Sequence, residues 1–151
     1  VTEACGRPRW AKPSPNVTDL TAIAGAAREG GAEAVTLINT VMGLLIDPET
    51  RRPRLGNGGG GLSGPAIHPV AVRAVHECRV AHPDLPIVGV GGVARGADAA
   101  ELLLAGASAV QVGTATFADP RAPARVLKEL AAWVRRQADP HLSQIIGGAH
   151  D

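Results

Sequence analysis

The chain has 151 residues and a net charge of +1, so its charge gives no argument for binding nucleic acid or an anionic membrane. It is 45% hydrophobic but only 2% aromatic, so its core must be built from Ala, Val, Leu and Ile. No segment resembles a signal peptide or is apolar over the length of a membrane span, and we expect a cytoplasmic protein. The length predicts one domain, residues 1–151.

The first part of the chain predicts two strands with a helix between them. A short strand-like segment at residues 10–13 precedes a helix whose apolar positions recur every three or four residues and which ends at Gly30. Either Asn16 or Thr18 can cap that helix. The second strand is the apolar run 34–38.

Residues 41–65 show no convincing periodicity. A connection of this length inside a compact domain is usually functional or disordered. The segment contains Arg51, Arg52, Arg54 and the glycine run 58–61. We interpret the three arginines as a solvated loop face rather than a substrate clamp.

The second half continues the alternation of strands and helices. The pattern predicts a helix over 69–82, strands at 87–90 and 109–112, and helices over 98–105 and around 126–134. The strands are continuous apolar runs, which is typical of buried parallel strands. Four strand–helix units in strict alternation predict a parallel α/β sheet.

Two turns that contain glycine follow the third and fourth strands, Gly91-Gly92 and Gly113-Thr114. Such turns offer backbone N–H groups to an anion without a Cβ in the way. In a (β/α)8 barrel the loops after strands 7 and 8 frequently form a phosphate site. Because candidate functional residues follow all four strands, we favour a barrel over an open doubly wound sheet. A complete barrel has about 250 residues, so the chain predicts half a barrel that is truncated at its N-terminus.

The cysteines and histidines show no metal-ligand spacing, and we predict no metal site. Cys5 and Cys78 do not suggest a disulfide framework. Cys78 falls on the buried stripe of its helix, where it is interpreted as a small hydrophobic residue. The five histidines are interpreted as surface or core residues.

Five segments carry a resemblance to a known family: residues 12–19 (KPSPNVTD), 36–43 (TLINTVMG), 60–67 (GGLSGPAI), 89–92 (GVGG) and 105–115 (AGASAVQVGTA). In this order and spacing they resemble dihydroorotate dehydrogenase, in particular the catalytic subunit of the NAD-linked class 1B enzymes. The resemblance implies a (β/α)8 barrel with FMN at its C-terminal face, of which this chain is the second half, strands 5 to 8. It also implies oxidation of dihydroorotate to orotate in the synthesis of UMP.

The resemblance implies roles for nine residues. Asn39 and Thr40 match the pair that hydrogen-bonds orotate, and an amide with a hydroxyl can read the edge of a pyrimidinedione. Lys12 matches a lysine that stabilises negative charge on reduced flavin. The other implied flavin contacts are Ile38, Gly64, Gly91, Gly92, Gly113 and Thr114. Each role has a competing interpretation. Lys12 could be an ordinary surface lysine, Asn39 and Thr40 could simply end a strand, and the glycine turns could occur by chance.

The resemblance places no catalytic base in this chain. Class 1 enzymes carry a catalytic Cys upstream of the strand that ends in Lys12, which corresponds to a position before Val1. We therefore expect the isolated chain to be inactive or nearly so. Its uncovered strand edges favour self-association. The class 1B resemblance implies a partner subunit with an iron–sulfur cluster and FAD that passes electrons to NAD.

Two other functions remain open. One is a sibling FMN barrel, such as the pyrimidine-reducing domain of dihydropyrimidine dehydrogenase, which shares the Pro-Asn-Val-Thr-Asp and Gly-Gly features. The other is a non-catalytic flavin-binding half-barrel that dimerises into a pseudo-complete barrel.

Overall fold

The structure is a computed structural model that describes residues 6–139 and 141–150. Cys5 lies outside the described residues. The strands are β1 (Trp10–Ala11), β2 (Ala34–Leu37), β3 (Val41–Gly43), β4 (Ile46–Asp47), β5 (Arg52–Pro53), β6 (Gly60–Leu62), β7 (Ile87–Val90) and β8 (Ala109–Gln111). The helices are α1 (Leu20–Glu29), α2 (His68–Ala81), α3 (Gly96–Leu104), α4 (Ala115–Ala118), α5 (Ala122–Val134) and α6 (Leu142–Ile145), and a 3₁₀ turn (Pro65–Ile67) leads into α2.

The main sheet has the strand order β1-β2-β7-β8, and every neighbouring pair is parallel. This order follows the chain without a reversal. A doubly wound sheet reverses its strand order at a switch point, whereas successive strands of a barrel lie side by side. The predicted parallel α/β sheet is therefore confirmed, and its order is that of a barrel segment.

Helices α1, α2 and α3 pack on the main sheet, and α5 packs on α3. Val35, Leu37 and Ile87 are completely buried and belong to one core cluster with helical residues such as Val75 and Leu102. These strand residues alternate with others that lie outside the cluster, because successive strand side chains point to opposite faces. Neighbouring helices contact one another in the order α1, α2, α3, α5. These helices form the outer layer that surrounds the strands in a strand–helix barrel.

The segment from 41 to 62 contains short regular structure that the sequence pattern did not predict. β3 pairs with β6 and β4 pairs with β5, both antiparallel. These strands have only two or three residues, and a period-two signal needs more residues than that to be recognised. Arg51, Arg52 and Arg54 are exposed there, as expected of a solvated face.

The predicted N-cap of α1 was wrong. Asp19 is the cap: its Oδ1 accepts the N–H of Thr21 at 2.9 Å and that of Ala22 at 3.1 Å. Hydrogen bonds from the Thr21 hydroxyl and from the Ala22 backbone lower the pKa of the Asp19 carboxyl. Asn16, one of the two predicted caps, instead contacts the loop after β2. Asp19 directly precedes the first residue of α1, so its side chain reaches the N–H groups of the first turn. Asn16 and Thr18 lie further from the helix in the sequence.

Within the described ranges, no helix is long and apolar enough to cross a membrane.

Candidate functional site

A cavity of about 410 Å³ lies at the carboxyl-terminal edge of the parallel sheet. Its volume falls in the range of small-molecule sites, about 300–1,000 Å³. All nine site residues predicted from the sequence line it: Lys12, Ile38, Asn39, Thr40, Gly64, Gly91, Gly92, Gly113 and Thr114. They come from loops after four different strands and from the start of the 3₁₀ turn. The structure therefore brings the whole predicted set together, while the role of each residue stays a prediction.

The first glycine turn packs directly on α2. Gly91 has φ 146° and Gly92 has φ 68°, values that side chains rarely adopt. A Cβ at Gly91 would lie 2.6 Å from the Cβ of Ala71, and one at Gly92 would lie 2.7 Å from the Cβ of His68. The fold itself requires glycine at both positions.

The second glycine turn differs. A Cβ at Gly113 would meet no heavy atom within 4 Å, and the structure does not assign this residue a positive φ. Packing among the described residues gives no reason for glycine at this position. Gly113 does line the cavity, where the absence of a side chain leaves the backbone open to a ligand.

Three backbone donors at the two turns are available to a ligand. Among the hydrogen bonds of the described residues, none uses the N–H of Gly92, Gly113 or Thr114 as its donor. Clustered backbone N–H groups at turns form concavities that bind anions. The two turns together can therefore hold an anionic group such as a phosphate.

The loop after β2 is held by Asn16, a contact that the sequence pattern did not predict. The Asn16 Nδ2 donates to the carbonyl of Thr40 at 2.9 Å, and its Oδ1 accepts the N–H of Met42 at 2.8 Å. Asn39 turns its own Oδ1 to the N–H of Thr40 at 2.8 Å. This leaves the Asn39 Nδ2 as a donor on the cavity wall. The only sequence signal for Asn16 was its place in the segment 12–19.

The charged side chains around the cavity differ in whether they already have partners within the protein. Lys12 is exposed at its rim. Arg125, which the sequence analysis also missed, donates to the carbonyl of Ala94 at 2.9 Å and lies 3.4 Å from Asp119. The N–H of Arg121, then the Arg125 side chain, lower the pKa of the Asp119 carboxyl. Asp119 is therefore ionised at neutral pH and is unsuited to donate a proton there.

Cys78 is fully buried in the core, as the sequence predicted. Burial, together with the Glu77 and Asp19 carboxylates, raises the pKa of the Cys78 thiol to about 11. It does not line the cavity. Since the thiolate is the reactive form of cysteine, Cys78 is not a base or nucleophile for chemistry in the cavity.

The buried state of Cys78 predicts its reactivity. In a Cys5→Ser variant of the 151-residue chain, in which Cys78 is the remaining thiol, we expect no labelling by a thiol reagent at about pH 8 until the protein unfolds. The thiol is neutral in the folded state up to its raised pKa, so its contribution to stability is lost as pH rises from about 9 to about 11. Stopped-flow labelling with and without denaturant measures the reactivity of the thiol, and denaturant unfolding over this pH range measures the change in stability. Rapid labelling of the native protein would contradict the burial of Cys78.

Comparison with known proteins agrees with the geometry. The sequence model of a family described as "Dihydroorotate dehydrogenase" matches residues 1–134. A "Putative dihydroorotate dehydrogenase A (fumarate)" from Solibacter usitatus is 52% identical over 93% of this chain and 46% of its own length. A "Dihydroorotate dehydrogenase B (NAD(+)), catalytic subunit" from Desulforudis audaxviator is 49% identical over 99% of this chain and 48% of its own length. The chain thus spans about half the length of these relatives, and it belongs to the dihydroorotate dehydrogenase family.

Proposed function

We propose that these residues form the C-terminal half of the FMN barrel of a dihydroorotate dehydrogenase. The proposed reaction is oxidation of dihydroorotate to orotate in the biosynthesis of UMP, in the cytoplasm. The observation that carries the proposal is the meeting of all nine predicted residues around one cavity of about 410 Å³. Five sequence segments of the resemblance contribute these residues, in the order and spacing of the family.

The cavity offers donors that suit the phosphate and the ring of FMN. When bound, FMN would supply the acceptor for the two electrons that leave the substrate. The N–H groups of Gly92, Gly113 and Thr114 are the proposed phosphate donors, because none of them is used within the described part of the chain. The Lys12 ammonium would stabilise negative charge on the flavin ring.

Asn39 and Thr40 are the proposed substrate contacts. The Nδ2 of Asn39 can donate to a carbonyl, and the Thr40 hydroxyl can donate or accept. Thr40 is closely packed: a Cβ at Gly61 would lie within 2.6 Å of the Thr40 Cβ. Asn16 holds the backbone on either side of Val41, and the Asn39 side chain bonds the N–H of Thr40. The side chains of Asn39 and Thr40 are therefore oriented before substrate binds. This preorganisation lowers the entropic cost of binding.

The base that removes the substrate proton is proposed to lie outside the 151 residues. Cys78 is buried away from the cavity with a raised pKa. Asp119 has a lowered pKa and is occupied by Arg121 and Arg125. Neither has the properties of a general base poised near neutral pH. The share of the relatives that this chain covers, about half, leaves room for the base elsewhere.

The electron acceptor is proposed to be reached through a partner subunit that carries an iron–sulfur cluster and FAD and reduces NAD. Support comes from relatives named as NAD(+) catalytic subunits, such as that of Desulforudis audaxviator. The Solibacter usitatus relative is named for fumarate instead. Assaying the protein with NAD plus its candidate partner, and separately with fumarate, distinguishes the two acceptors.

Substitution at Gly113 tests the cofactor site. In the protein expressed from its complete gene, we expect Gly113→Ala to weaken FMN binding by about tenfold or more, because a hydrogen bond to a charged group contributes about 1.5–3 kcal/mol. Among the described residues the new Cβ meets no heavy atom within 4 Å, so the melting temperature of the protein without FMN should not change. Fluorescence titration with FMN and thermal unfolding measure the two effects.

Gly43→Ala is the matched control, since its Cβ also meets no atom within 4 Å and Gly43 does not line the cavity. We expect this control to bind FMN with unchanged affinity. Equal affinities for wild type and Gly113→Ala would show that the phosphate does not approach this turn.

Turnover tests the proposed division of the site. We expect the 151-residue chain alone to oxidise no dihydroorotate above background, whether or not FMN is added, because it lacks the base. The protein expressed from its complete gene should oxidise dihydroorotate and should prefer it to dihydrouracil. Full turnover by the 151 residues would contradict the proposal, and a preference for dihydrouracil would favour the sibling dihydropyrimidine dehydrogenase-like function.

A further inference from the structure

Three potential metal ligands meet beside the first glycine turn, outside the cavity. His68 begins α2, while Asp98 and Glu101 lie on α3. One ligand atom from each residue lies within 4.8 Å of the others. His68 is 8% exposed and Asp98 is 7% exposed, whereas Glu101 is open to solvent. The group is thus largely enclosed and has one side through which an ion can enter.

The hydrogen bonding of His68 determines which ring nitrogen is available. Its Nδ1 lies 2.8 Å from the carbonyl oxygen of Gly91. A carbonyl only accepts, so Nδ1 carries the hydrogen and donates it. In the neutral ring the lone pair is therefore on Nε2. Metal-binding histidines usually have this arrangement, in which the second nitrogen donates to a backbone carbonyl or a carboxylate.

The Nε2 of His68 is buried and has no hydrogen-bond partner among the described residues. The nearest carboxylate oxygen, Oε2 of Glu101, is 3.5 Å away. A charged N–H···O hydrogen bond would be about 2.7–2.9 Å long. Two ligands of one tetrahedral zinc ion, each about 2.0 Å from the metal, lie about 3.3 Å apart. The observed separation is closer to that of two ligands than to that of a hydrogen-bonded pair.

Asp98 has one carboxylate oxygen left for a ligand. Its Oδ2 accepts the N–H groups of Ala94 and Arg95, both at 2.8 Å, which fixes the carboxylate at the start of α3. Within the described part of the chain, its Oδ1 contacts the Nη2 of the exposed Arg95 side chain, at 3.6 Å. A cation can displace that long contact without disturbing the helix.

We propose that His68, Asp98 and Glu101 bind a Zn²⁺ ion, with water as the fourth ligand. One imidazole and two carboxylates suit zinc, whereas Mg²⁺ and Ca²⁺ prefer all-oxygen sites. Asp98 and Glu101 follow His68 by 30 and 33 positions in the sequence. This long separation explains why ligand spacing did not predict a metal site. This site is separate from the proposed FMN and substrate contacts, and its existence does not depend on them.

The ion would connect α3 to the start of α2 beside the turn of Gly91 and Gly92. His68 already contacts both glycines, through its bond to the Gly91 carbonyl and its packing against Gly92. The proposed role of the ion is therefore structural. The ion would hold the turn in place and would not contact the reacting atoms.

Metal titration of the protein expressed from its complete gene and stripped with a chelator tests the site. We expect one equivalent of Zn²⁺ to bind and to raise the melting temperature, with little effect of Mg²⁺. Glu101→Gln should weaken zinc binding at least about tenfold, as even outer-shell mutations at metal sites cost 10- to 100-fold. His68→Asn should do the same, because its amide can replace the Nδ1 donor but not the Nε2 ligand.

Two controls separate this site from adventitious binding. Glu29→Gln and His141→Asn alter exposed side chains away from the group and should leave zinc affinity unchanged. Glu101→Gln changes an exposed residue, so the test remains decisive if His68→Asn fails to fold. Absence of zinc binding to the wild-type protein, or equal affinity in the wild type and Glu101→Gln, would overturn the proposal.

Discussion

The close packing of the Gly91–Gly92 turn on α2 positions the rest of the site. Both glycines have positive φ, and both approach helix residues so closely that a Cβ would overlap the side chains of Ala71 and His68. A Cβ at Gly92 would also lie 2.8 Å from the carbonyl oxygen of Gly64. The turn after β7 and the loop before α2 therefore meet on one wall of the cavity. Any side chain at these positions would separate β7 from α2 and change the shape of the proposed phosphate site.

Glycine serves two different purposes at the two turns. At Gly91 and Gly92 it satisfies the packing of the fold, so its presence there says little about a ligand. At Gly113 none of the described residues comes within 4 Å of where a Cβ would lie, which leaves the backbone open to close approach by a ligand. Because the parallel strands β7 and β8 are neighbours, their turns lie side by side and can share one anion. The stronger argument for cofactor binding thus comes from the turn of Gly113 and Thr114.

Local patterns were sufficient to predict the sheet and its helices, whereas the nine residues on the cavity wall were expected from the family resemblance. These residues meet because strand ends in a parallel sheet lie at one edge. Contacts between distant residues were not predictable. Asn16 was one of two residues expected to cap α1, the other being Thr18. The Asn16 side chain instead bonds the backbone of Thr40 and Met42, and Asp19 caps the helix. The antiparallel pairs between residues 41 and 62 are too short to give a period. The meeting of His68 with α3 depends on helix packing, which has no signature in sequence spacing.

The central claim is that the two glycine turns hold the phosphate of FMN. A crystal structure with FMN, of the protein expressed from its complete gene, tests it most directly. The account predicts phosphate oxygens about 2.7–3.2 Å from the backbone nitrogens of Gly92, Gly113 and Thr114, with Lys12 beside the flavin ring. A phosphate bound away from both turns, or FMN bound outside this cavity, would contradict it.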